Sequence, residues 1–164
     1  MRRTALLLAL LLTSACGGSK DPKALNRAGE ESLASGDSAA AEESFSKALE
    51  VLGADTANAD YTAAKLGLAE ALIARDPKGA KDTFLALARE KPESVQDDEF
   101  HLFASKLGDA NHLPEATEVL SAGIAQFPES PHLVALRDSL GDRAKASGND
   151  AALEDLKGLG YVGE

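Results

Sequence analysis

Gly79-Ala80-Lys81-Asp82-Thr83-Phe84-Leu85-Ala86-Leu87-Ala88-Arg89-Glu90-Lys91-Pro92 decides the reading of this chain. Within it Ala80, Phe84, Leu87, Ala88 and Pro92 follow at steps of four, three, one and four residues. The same steps recur upstream in Ala41, Phe45, Ala48, Leu49 and Gly53, and downstream in Ala116, Leu120, Gly123, Ile124 and Pro128. Spacings of three and four place apolar side chains on one face of a helix. Each set closes on a residue that ends one, by lacking an N–H or by tolerating left-handed backbone.

A partner helix can be placed before each set, through Leu25, Ala28, Gly29 and Ser32, then Lys65, Leu68, Ala69 and Leu72, then Phe100, Phe103, Ala104 and Leu107. Asp21-Pro22, Asp76-Pro77 and Ser130-Pro131 pair a capping side chain with a proline, the pattern of N-cap and N1. Lys91-Pro92 and Phe127-Pro128 instead follow helix ends. The prediction is an all-α chain of helical hairpins.

These sets resemble the second helix of the tetratricopeptide repeat, in which a small residue allows close helix approach and a large one fills the gap to the next repeat. The resemblance covers residues 22–130 in three repeats, with corresponding positions 39 and then 36 residues apart. The standard period is about 34. The surplus falls in Ala54 to Asp60 and in Glu93 to Gln96. It implies a helical-hairpin solenoid over residues 22–146, closed by a capping helix from Pro131 to Ala146 whose polar side covers the last repeat. Residues 147–164 form a short helix and a glycine-rich tail, whose Leu159, Tyr161 and Val162 are expected to fold back onto that cap.

In the family the first helices line a concave surface. Carried over position by position, that surface comprises Lys23, Asn26, Arg27, Glu30 and Leu33, then Ala63, Leu66, Gly67, Glu70 and Ile73, then Asp98, His101, Leu102, Ser105 and Gly108. The resemblance implies a groove that is apolar in its middle, basic at one end and acidic at the other. Such a groove suits an amphipathic or extended segment of another protein. The Lys/Asn carboxylate clamp of chaperone-binding members is missing from these positions. Three repeats lie at the lower limit for stability, so self-association or a bound partner is expected to complete the array.

The first sixteen residues read as an address. Met1-Arg2-Arg3 precedes the apolar run Ala5 to Leu12, followed by Thr13, Ser14, Ala15 and Cys16. Eight apolar residues span about 12 Å as a helix against a bilayer core of about 30 Å, too little to cross it. They suit the short apolar region of an export signal. The sole Cys directly after small residues resembles a bacterial lipoprotein signal, which implies cleavage after residue 15 and acylation of Cys16, with residues 16–21 as a short tether. Thr13 stands where the family usually has Leu. Gly17 stands where inner-membrane retention would want Asp, which favours the outer membrane, facing the periplasm. Several acyl chains on one residue anchor stably where one holds marginally.

Of the 164 residues, 17 are Lys or Arg and 27 are Asp or Glu, a net charge of −10. Loss of residues 1–15 would leave 15 basic against 27 acidic groups, a net of −12. That balance argues against a nucleic-acid partner, which needs a basic face to displace counterions. One Cys excludes a disulfide framework. His101, His112 and His132 lack metal-ligand spacing, and Asp97-Asp98-Glu99 reads as negative charge at a helix N-terminus. With no phosphate loop and no nucleophile motif, the chain reads as a non-enzymatic binding protein without cofactor beyond the lipid. Two other classes compete. One is an accessory subunit of a secreted hydrolase, because the Gly-Leu-Gly-Tyr-Val-Gly ending resembles the tails of some sulfatase-associated repeat proteins. The other is a glycan- or small-ligand-binding lipoprotein, for which a chain with no Trp and two Tyr is poorly equipped.

Overall fold

A computed structural model describes residues 20–163, all of whose regular structure is helical. The helices are α1 (Pro22–Ala34), α2 (Ser38–Leu52), α3 (Ala59–Leu72), α4 (Pro77–Glu90), α5 (Asp97–Asp109), α6 (Leu113–Gln126), α7 (Pro131–Ser147) and α8 (Asp150–Gly158). Cys16 and the stretch expected to act as an export signal lie outside the described residues. Among the described residues no helix is long and apolar enough to cross a membrane.

Helix starts fall where short polar side chains precede proline or small residues. The Asp76 carboxylate accepts from the Gly79 N–H at 2.9 Å and the Asp37 carboxylate from the Ala40 N–H at 3.0 Å. Ser130 and Asn149 perform the same task for α7 and α8. At α5 the Gln96 N–H donates to the Glu99 carboxylate at 2.8 Å, so one acid of the Asp97-Asp98-Glu99 run is a capping group.

Every substantial helix–helix contact joins elements adjacent or next-adjacent in the chain. Successive helices pair except α4 and α5, and α1 also packs on α3, α5 on α7, α4 on α6 and α6 on α8. Each element meeting only its neighbours is the organisation of a solenoid, where a closed bundle would bring first and last helices together. The odd-numbered helices form one layer and the even-numbered another. The last described helices, α7 and α8, pack on each other as a hairpin.

The recurring apolar set is the buried side of the hairpins. Ala41, Phe45 and Ala48, then Ala80, Phe84, Leu87 and Ala88, then Ala116, Leu120 and Gly123 are all buried. The Phe45 ring lies between α1 and α3, where a Cβ added at Gly29 would stand 2.6 Å from it and one at Gly67 closer still. Only hydrogen fits at either position. The tail behaves unevenly: Tyr161 is buried against Gly141 and its hydroxyl donates to Asp142 at 2.8 Å, whereas Val162 stays 87% exposed.

Candidate functional site

The odd-numbered layer is not uniform. α1 meets α3 closely, and so does α5 meet α7, but α3 and α5 have no extended close contact, and neither do α4 and α5. Aromatic rings occupy the interval instead. Phe84 of α4 stacks on Phe103 of α5 with centroids 4.4 Å apart and planes within 3°, and meets Phe100 edge-on at 5.2 Å. Rings of this bulk hold the helices apart, and the seam opens at the surface.

That opening is a concavity of about 250 Å³ lined by Leu66 and Glu70 of α3, Glu99, Leu102, Phe103 and Lys106 of α5, and Phe84 beneath. Its walls are apolar. Leu102 is 56% exposed, although it stands beside Leu66 and over the phenylalanine pair. The Lys106 ammonium bridges across the rim to the Glu70 carboxylate, tying α3 to α5. With that pair neutral, the remaining rim charge is the Glu99 carboxylate. Volume and lining suit one bulky apolar side chain.

Leu66, Glu70 and Leu102 therefore converge, as the carried-over positions imply. A second group gathers elsewhere. Lys23, Asn26, Arg27, Glu30 and Ala63 line a separate concavity of about 400 Å³ between α1 and the start of α3, together with Asp21 and Asp60. The basic end expected of the groove is thus mixed in sign. Asn26 is 4% exposed and its side-chain amide donates to the Asp60 carbonyl at 2.9 Å, so it ties helices together rather than facing a partner. Arg27 is exposed and pairs with Glu31 one turn on, and Glu30 is exposed.

Four further positions depart from the expected groove. Ile73, at the C-cap of α3, is buried in the main core. Leu33 is partly buried against the cluster of Ala41, Phe45 and Ala71. Gly67 makes room for Phe45, and Gly108 for Leu140 of α7. Of the rest, Asp98 is exposed in the first turn of α5, and Ser105 is half-buried. His101 is half-buried with its ring 6.0 Å from that of His132. No group of three or more His, Cys, Asp or Glu suited to a metal occurs among the described residues.

Phe84, Phe103, Glu99 and Lys106 were not among the positions expected to line the groove. Phe84 and Phe103 belong to the apolar sets, and nothing in their spacing says that one edge of the stack borders solvent. The segments before α3 and before α5 are equally long, 53–58 and 91–96, so linker length gave no signal of where the seam opens.

No family model, characterised protein or solved structure matches the chain. The site is accordingly read from its own geometry.

Proposed function

We propose that this protein is a lipid-anchored adaptor of tetratricopeptide type, held in the bacterial envelope by acylated Cys16 and facing the periplasm. The α3–α5 concavity receives an apolar side chain from a segment of another protein. One observation carries the binding half of this reading: Leu102 stays 56% exposed beside Leu66 over the Phe84–Phe103 stack. A buried leucine contributes about 1.5–3 kcal/mol, and here that gain is left for an incoming group to complete. The Met1 to Cys16 pattern supports the anchoring half.

The test is crosslinking in the native cell followed by mass spectrometry, with Leu102→Asp as control. Leu102 projects outward, so the variant keeps its fold and loses the crosslinked partner by about tenfold or more, as for an anchor residue of an interface. Capture at wild-type level by a folded Leu102→Asp protein places the binding surface elsewhere. Anchoring is tested separately with Cys16→Ser, which releases the chain from membranes after alkaline wash; retention of the variant contradicts acylation.

A further inference from the structure

The even-numbered layer carries its own groove. On α6, Thr117, Glu118, Ser121, Ala122, Ala125 and Gln126 recur at four-residue steps along two adjacent rows and share one face. This face is low, because its central residues are alanine and serine. α4 stands on one side of it with Leu85, Ala88 and Arg89, and α8 on the other with Glu154 and Asp155, followed by Leu159 just past its end. The two concavities, about 630 and 530 Å³, share Leu85, Ala122 and Ala125 and so form one trough. From Thr117 to Gln126 it runs about 13 Å, between two and three turns of a docked helix.

One feature says what covers it: the α8 wall is acidic. Glu118 is engaged by the Lys81 ammonium at 2.6 Å, but Glu154 and Asp155 have no cationic partner among the described residues. A second copy of this chain, itself at net charge −10, would meet like charge there.

The geometry points to a second docking face, on α4, α6 and α8, for a lysine- or arginine-bearing amphipathic helix of another protein. Its apolar side lies on Ala122, Ala125 and Leu85, and its basic flank lies along Glu154 and Asp155. This face is on the other layer from the α3–α5 concavity and does not depend on it, so the adaptor would hold two partners at once.

The experiment titrates the full chain, isotope-labelled for amide NMR, with a helical probe peptide of leucine, alanine and lysine, about 14 residues or four turns long. The buffer is at ~0.15 M salt, where diffuse surface attraction is screened. Shifts are expected on α6 between Thr117 and Gln126 and on the facing parts of α4 and α8. Ala125→Trp fills the exposed trough and abolishes them. Glu154→Lys with Asp155→Lys weakens binding by about tenfold, as two rim charge pairs would. Both variants must melt as the parent does. Leu102→Asp leaves the binding unchanged. The proposal fails if shifts are missing at about 1 mM peptide, the weakest affinity a specific trough would show. It also fails if they spread over the acidic surface, if they gather at Leu66 and Leu102, or if they survive Ala125→Trp.

Discussion

The rings of Phe84 and Phe103 lie parallel, 4.4 Å between centroids, and this stack spaces α4 from α5. Both rings are buried at the protein side and both border the concavity at the other. One contact thus stabilises the junction between hairpins and floors the concavity. Removing either ring is expected to affect stability and binding together, which distinguishes it from the exposed Leu102.

Phe84→Ala should cost about 3–5 kcal/mol, the range for a buried aromatic truncated in a core that collapses incompletely. Urea unfolding followed by circular dichroism measures this. A loss below about 1 kcal/mol would mean the junction repacks freely and the stack is not its spacer.

Gly67→Ala should destabilise by about 1–3 kcal/mol, because the new methyl meets the Phe45 ring inside contact distance and the ring has no free space to enter. The same change in a Phe45→Leu background should cost less. A double-mutant cycle reads the difference, and full additivity would show that Gly67 and Phe45 do not compete for one volume.

Ile73→Asp and Leu102→Asp should separate cleanly, although both residues are carried over to the same surface. Ile73 is 8% exposed within the core and Leu102 is 56% exposed. An unpaired carboxylate at Ile73 lowers the melting temperature sharply, whereas the Leu102 variant melts within a few degrees of the parent, as about ±0.5 kcal/mol implies for a surface change. Equal melting curves would contradict the burial of Ile73.

Alkali should destabilise the fold through three groups. The hydrogen bond to Glu118 holds the Lys81 ammonium above the usual lysine range, against an opposing effect of burial. The hydroxyl of Tyr161 is pushed up by its hydrogen bond to Asp142, and that of Tyr61 by burial and by Glu90. A raised folded-state pKa means stability that is complete below the unfolded value, near 10 for these groups, and lost as pH climbs through the folded value. Urea midpoints should therefore stay flat from neutral pH to about pH 9.5 and fall beyond it. Tyr161→Phe should flatten part of that fall, since the variant has no proton to lose there. A Tyr161→Phe profile that overlays the parent would show the tail contact does not contribute.

The three apolar sets and the proline-marked caps were legible in the sequence because each depends on neighbours a few residues apart. Asp76-Pro77 and Ser130-Pro131 begin helices for reasons contained in those residues. Burial of Phe45, Phe84 and Leu120 follows from one apolar stripe per helix. Leu66, Glu70 and Leu102 were named only through the family positions carried over to this chain, and they line one concavity. The tertiary structure alone decided that Ile73 is buried, that Gly67 yields its space to a ring from another helix, and that the seam opens between α3 and α5 rather than between α1 and α3. Those outcomes depend on which bulky side chain meets which small one across a junction, and residue spacing within a helix carries no information about that meeting.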